Sequence, residues 1–381
     1  MKNPIYLDYA AATPMDPQVV KTMRPYFSEK FYNPSATYLA GRAIHGELNS
    51  ARATIARWLG VRPAEVYFTA GATEANNLAI SGIMRRFPDS EVLVSPIEHL
   101  SVLVPATQFT CKKIAVTAEG IINLEDLRKK INGNTVLVSV MLVNNELGTI
   151  QPIREVAKII GSIRQERLKS GSKHPIYLHT DAAQATNYMD LHAARLGVDL
   201  LSINGGKIYG PKQTGALYVK AGINILPIIL GGGQERNLRS GTENVAGFIG
   251  LAKAMDIAQK SREKESNRLN SLLKLLILEL KKNVPDIQVN GSDKHQAPHI
   301  AHVTFPGTDN ERLMMELDEN GVQVAVGSAC SAAKTEPSHV LAAIGITDEL
   351  ARASLRISLG RQTKAKDITA TIKLLKRLLT R

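Results

Sequence analysis

The sequence predicts an α/β protein: a large domain with a mainly parallel seven-stranded sheet between helices, joined to a smaller α+β domain. Three observations carry this. Between about residues 65 and 220, seven short β-rich runs alternate with longer helix-period segments, the pattern of βαβ units covered on both faces. Leu269, Leu272, Leu273, Leu276 and Leu280 then form an apolar stripe on a long helix over about 262–282. Beyond it, "SLRISLG" reads as one more strand, followed by a basic terminal helix.

In chain order the seven runs are "EVYFTAG", "EVLVSP", "KKIAVT", "TVLVSVMLV", "PIYLHTD", "DLLSI" and "GALYVK". "TVLVSVMLV" and "INILPIILGGG" are too short to span a membrane and suit buried strands. With the leucine helix as the bridge, residues 16–261 form the large domain, and 1–15 with 262–381 the small one. The opening "MKNPIYLDYAAATP" has neither a signal h-region nor an Arg-rich transit pattern, so the expected compartment is the cytoplasm.

The 44% apolar and 22% charged shares exclude a disordered or collagen-like chain. Two cysteines, Cys111 and Cys330, cannot build a disulfide framework. A net charge of +12 fits nucleic acid, an acidic partner or anionic small molecules. No nucleic-acid motif appears, and part of the charge is local: residues 361–381 carry seven basic side chains against one acidic, which reads as a solvated helix face. Neither a membrane, a metal nor nucleic acid is an expected partner.

Several positions could carry chemistry. Gly71, Ala72 and Thr73 stand where a strand gives way to a helix, so they form either a phosphate site or, through Thr73 and Glu74, a plain helix cap. Asp181 ends the strand in "YLHTDAAQ", with Gln184 three residues on; an acid there holds a protonated ring nitrogen or is an exposed turn residue. Next comes Lys207 in "SINGGKIYGPK". A phosphate cradle, a strand-end acid and a downstream lysine are the parts needed to hold pyridoxal phosphate, with the lysine as the Schiff-base residue. Lys212 competes, but Lys207 is preferred because Gly205 and Gly206 permit close backbone approach to a cofactor, while Lys212 lies in a turn facing water. His99 either is structural or stacks over the pyridine ring and moves protons. Cys330, among small residues with Lys334 nearby, is a thiolate nucleophile or a small buried hydrophobe; Cys111 is read as the latter. Arg356 in a β-rich run needs an anion, either a substrate carboxylate or a salt bridge within the small domain.

With these residues in view the chain resembles the group I cysteine desulfurases, within the class V branch of fold-type I pyridoxal-phosphate enzymes. The blocks "YLDYAAATP", "FYNPSA", "FTAGATEANNLAI", "EHLSVL", "VNNELGTIQPI", "HTDAAQ", "KIYGPKQTGALYV", "GGGQERNLRSGTENV", "GSACSAAKTEPSHVL" and "LRISLGR" carry the resemblance nearly end to end. It implies that Ala72 and Thr73 contact the phosphate, Asp181 the pyridine nitrogen, Gln184 the ring hydroxyl and His99 the ring face. Thr242 would reach the phosphate of a neighbouring subunit, which implies a homodimer. Asn145, Arg356 and Asn33 would hold the substrate, L-cysteine, and Asn145 would also touch the cofactor. Cys330 would receive the sulfur as a persulfide, leaving L-alanine, and pass it to an acceptor or scaffold protein for iron-sulfur cluster assembly or tRNA thiolation.

The sequence departs from the family's usual Ser-Gly-His-Lys: Asn204, Gly205, Gly206 and Lys207 stand there, so a phosphate donor and a ring-steadying imidazole are replaced, and Gly206 offers only its backbone. Gln234 stands where many relatives have histidine. Rival readings are a selenocysteine lyase or another class V aminotransferase, neither of which needs a thiol at 330, and a non-catalytic basic scaffold, which would have no use for Lys207 or Cys330.

Overall fold

The computed structural model describes residues 4–327 and 338–380. Among these, Ile5–Tyr6 form β1, and seven strands build the large sheet: Val66–Thr69 (β2), Glu91–Val94 (β3), Thr110–Lys113 (β4), Thr135–Ser139 (β5), Tyr177–Asp181 (β6), Leu200–Asn204 (β7) and Gly215–Val219 (β8). Their spatial order is β2-β8-β7-β6-β5-β3-β4. β8 runs antiparallel to both its neighbours, and every other pairing is parallel. β5 and β8 are buried at every position, as strands covered on both faces must be. The order reverses between β3 and β5, whose connections leave in opposite directions, and in such sheets a crevice opens there beyond the carboxyl ends of the strands.

All seven β-rich runs are strands, with β4 starting earlier than "KKIAVT" and ending at Lys113. The run "INILPIILGGG" is not a strand. It lies against the helix Ala72–Met84, where Leu226 N donates to Gly82 O at 3.0 Å, and a Cβ on Gly82 would sit 2.9 Å from Leu226 O. Its end, Leu230, is 80% exposed. Apolar runs interrupted by proline cannot complete a ladder, and Pro227 stands in this one.

The leucine-striped helix is longer than its stripe: it runs 39 residues, Val245–Asn283. Its first half packs Leu251 and Met255 into the core beneath the large sheet. The second half buries Leu269, Leu273, Leu276 and Leu280 with Leu7, Ile357 and Leu375 in another core, with Leu272 partly buried beside them. Each fully buried leucine contributes about 1.5–3 kcal/mol, so the helix anchors both halves at once. The second half of the molecule is built on Gln288–Asn290 (β9), Ile300–Thr304 (β10) and Ser354–Ser358 (β12), antiparallel in the order β12-β10-β9. Val322–Gln323 (β11) pairs in parallel with β1, so the start of the chain is stitched to this half. The basic terminal helix spans Ala365–Leu379 and buries Ile368, Ile372 and Leu375. No helix among the described residues is long and apolar enough to cross a membrane.

Candidate active site

A cleft beyond the carboxyl ends of β6 and β7 gathers nine of the residues singled out from sequence: Ala72, Thr73, His99, Asn145, Asp181, Gln184, Asn204, Lys207 and Arg356. Lys207 ends a short turn, Gly205–Lys207, that follows β7 directly. Its Nζ donates to Ala10 O at 2.8 Å and to Ala11 O at 2.6 Å, and Asn187 Nδ2 holds its carbonyl at 2.7 Å. Lys212, by contrast, is exposed.

The two glycines before Lys207 have different reasons from the one expected. A Cβ on Gly205 would stand 2.2 Å from Thr214 Oγ1 and 2.8 Å from Pro211 O, so glycine is required for packing against the following turn. On Gly206 the nearest atoms would be Asn204 Oδ1 at 3.5 Å and Lys212 Cγ at 3.6 Å, ordinary contacts that leave room for a side chain. Asn204 Oδ1 accepts from Gly206 N at 3.0 Å and so closes the turn.

Asp181, at the end of β6, is buried. Its Oδ1 accepts from Ala183 N at 2.9 Å and its Oδ2 from Asn76 Nδ2 at 2.7 Å. Asn76 Nδ2 also donates to Ser101 Oγ at 2.8 Å, which lies 2.8 Å from His99 Nδ1. Ser101 N donates to the same Nδ1 at 3.1 Å, so this nitrogen is an acceptor and the neutral ring carries its hydrogen on Nε2. Burial is the first cause that lowers the His99 pKa from its ordinary value; Asp181 opposes the shift, and Lys207 and His339 reinforce it. The ring is therefore a neutral imidazole at pH 7. Beneath it, Glu98 is fully buried, and Oε1 accepts from Met141 N at 2.7 Å. Burial pushes this carboxyl well above the usual carboxylate range, with Asp181 adding to the effect.

The helix Ala72–Met84 starts in the cleft wall with Gly71 at its N-cap, at φ 123° and with no side-chain cap. Glu74 is not a cap for this end. It accepts from Ala70 N at 3.1 Å and is paired with Arg239, 2.9 Å from Nε. The first N–H groups of this helix are thus left for an anion.

Arg356 stands mid-strand in β12, 1% exposed. NH2 donates to Asp8 Oδ1 at 2.8 Å and NH1 to Asn145 O at 2.9 Å, and Nε has no partner among the described residues. The internal salt bridge of the sequence reading is seen in the contact with Asp8, and the arginine also lines the cleft.

Other expectations fall elsewhere. Asn33 is exposed, its Oδ1 accepting from Ser35 N at 2.9 Å, and it does not line this cleft. Thr242 is also exposed and outside the cleft of its own chain. Gln234 lines a different, polar cleft with Arg52 and Glu243, and its Oε1 accepts from Gly241 N at 2.9 Å. Cys330 and Lys334 lie outside the described residues. Cys111 is half-buried on β4, where burial raises its thiol pKa. Sequence reasoning missed Asn76 and Ser101, whose signals were a polar residue on the buried face of an otherwise apolar helix and a serine two places after a histidine. It also missed the carbonyls of Ala10 and Ala11.

The donor set fits pyridoxal phosphate. An uncapped helix start suits its phosphate, a buried carboxylate fixed by two donors suits its ring nitrogen, a neutral imidazole suits its ring face, and a lysine amine lies within the same cleft.

Comparisons with known proteins agree with this geometry. The Aminotransferase class-V family pattern matches residues 5–371. Cysteine desulfurase IscS of Dictyoglomus turgidum is 40% identical over 386 aligned residues, covering 100% of this chain and 95% of that protein. A NifS-like protein from Rickettsia africae superposes with a TM-score of 0.89 at 30% identity, covering 100% of both chains. SspA, solved in complex with cysteine, superposes with a TM-score of 0.79 at 33% identity, covering 93% of this chain and 98% of its own.

Proposed function

The chain belongs to the aminotransferase class-V family, and from that premise we propose that it is a cysteine desulfurase, removing sulfur from L-cysteine and leaving L-alanine with pyridoxal phosphate as cofactor. The observation that carries the reading is the meeting of Lys207, Asp181, His99 and an uncapped helix start in one cleft.

When bound, the cofactor withdraws electrons from the substrate's α-carbon. The first N–H groups at Ala72 and Thr73, with the Thr73 hydroxyl, hold the phosphate. Asp181, held in place by the donors from Asn76 and Ala183, would pair with the cofactor's protonated ring nitrogen. Gln184 would donate to the ring hydroxyl, and Asn204 lines the same cleft. Lys207 would hold the cofactor covalently, and its Nζ amine would take the α-proton of the substrate. His99, which lines the cleft, would cover the ring face. Arg356 turns spare N–H donors toward the substrate carboxylate, with Asn145 beside it. Cys330 accepts the sulfur: its thiolate forms an S–S bond as the substrate's C–S bond breaks. The bonding pair stays on carbon, which gains a proton on the way to alanine, and the persulfide then serves an acceptor protein. A reducing compartment such as the cytoplasm keeps that thiol available.

A homodimer is part of the proposal. Phe27, Phe31, Tyr38, Leu39 and Leu230 are large apolar side chains exposed on this chain, and Thr242 is free to reach a second copy's phosphate. Borohydride reduction followed by peptide mass analysis, with an assay for alanine from cysteine, tests the reading. The expected result is a cofactor adduct on Lys207, alanine turnover, and loss of both in Lys207→Ala. An adduct mapped to Lys212, or turnover unchanged in Cys330→Ala, would overturn it.

A further inference from the structure

His299 lies behind the cleft, just before β10, and is 2% exposed. Its ring lies against Tyr188, centroids 4.2 Å apart, and its carbonyl accepts from Leu359 N at 2.7 Å. Nε2 is 3.2 Å from Gln184 Oε1, while Gln184 Nε2 donates to Ala10 O at 2.9 Å. A carbonyl oxygen only accepts, so the amide nitrogen of Gln184 must face Ala10 and its oxygen must face His299. It follows that His299 carries its hydrogen on Nε2. Nδ1 has no partner among the described residues, and burial, with the charge of Arg356 added, pushes the ring pKa down to about 3. The ring is thus a neutral, single-sided donor.

From this geometry we propose that His299 is a positioning residue: its Nε2–H locks the amide of Gln184 so that a nitrogen, and not an oxygen, is presented to the cofactor's ring hydroxyl. Gln184 Nε2 has two hydrogens, and Ala10 takes one, which leaves the second for the cleft that Gln184 lines. An unlocked amide could turn its oxygen to the ring oxygen and repel it. Ala10 O is also the acceptor of Lys207 Nζ, so the lock and the lysine share one carbonyl. The inference rests on the cofactor assignment above.

The test uses the purified holoenzyme and the absorption band of the cofactor bound at Lys207, titrated with pH, together with cofactor release and thermal unfolding. His299→Phe keeps an aromatic ring against Tyr188 and removes the donor. Without a donor at the ring oxygen, that oxygen holds the neighbouring proton more tightly, so the midpoint rises by about one pH unit and cofactor release quickens several-fold. His299→Gln, which can again donate to Oε1, returns the midpoint close to wild type. In a Gln184→Leu background H299F adds no further shift, because the ring acts only through that amide. If H299F does not fold, H299M is read in its place. An unmoved midpoint in the donor-less variant, or equal shifts in H299Q and H299F, overturns the proposal. A wild-type protein with no such band overturns the cofactor reading itself, and the lock with it.

Discussion

Two arginines lie at similar depth, and their surroundings differ. Arg52 meets Glu235 twice, NH1 to Oε2 and NH2 to Oε1, each at 2.6 Å; NH1 also reaches Val66 O, and its guanidinium lies 4.6 Å over the Phe68 ring. Glu235 accepts in addition from Phe68 N at 2.8 Å. Arg356 meets its carboxylate through one nitrogen only, and that carboxylate, Asp8, is itself 18% exposed against 2% for Glu235. A carboxylate met at both oxygens by two nitrogens holds the fold, even though Nε of Arg52, like that of Arg356, has no partner among the described residues. A half-matched pair in a cleft wall keeps donors for an anionic ligand.

The largest expected effect separates the two surroundings by pH. His299 and His302 are each held near a pKa of about 3, by burial first and the charge of Arg356 second, and His179 likewise by burial. Unfolded, each titrates near 6.5. Below that value the unfolded chain binds more protons, so stability is fully present above about pH 6.5 and is lost as pH falls toward 3. The slope is ~1.4 kcal/mol per unit for each ring, about 4 kcal/mol per unit for the three. Urea melts at pH 7 and pH 5.5 read this, and His299→Gln with His302→Asn should remove about two thirds of the slope. A flat profile would mean the rings are not held neutral.

Next, Arg52→Met leaves a buried, unmatched carboxylate and costs about 3–5 kcal/mol, most of it restored in the Arg52→Met, Glu235→Leu double variant. Denaturant titration measures the loss, and turnover per folded molecule should stay within about twofold of wild type. If turnover collapses while stability holds, the contrast between the arginines fails. Arg356→Gln then does the opposite: kcat/KM for cysteine falls about 100-fold, as expected for losing a charged contact, while stability changes by about 1 kcal/mol. The smallest effect is at Gly206. Because a Cβ there meets only ordinary contacts, Gly206→His should fold normally and slow cofactor release several-fold, read from absorbance after dilution.

Sequence alone exposed the parts of this site that side-chain type and strand position determine. Seven β-rich runs fall on seven strands, and Asp181 and Lys207 stand at or just beyond strand ends because the ends of the short apolar runs locate them. What stayed hidden has no side-chain signature or depends on distant pairing. The carbonyls of Ala10 and Ala11 that hold Lys207 belong to residues 197 and 196 positions away. Asp8 and Arg356 are 348 apart. The glycine pair was legible as unusual, but only packing against Thr214 separates the required Gly205 from the replaceable Gly206. "INILPIIL" misled because apolar content does not distinguish a strand within a sheet from a segment laid across a helix.

The stitching of β1 to β11, and of Asp8 to β12, also bears on biosynthesis. Residues 5–8 must wait for partners made more than three hundred codons later. Until then nothing anchors the segment that carries the Ala10 and Ala11 carbonyls, so the clamp on the lysine closes only after the last strand is made.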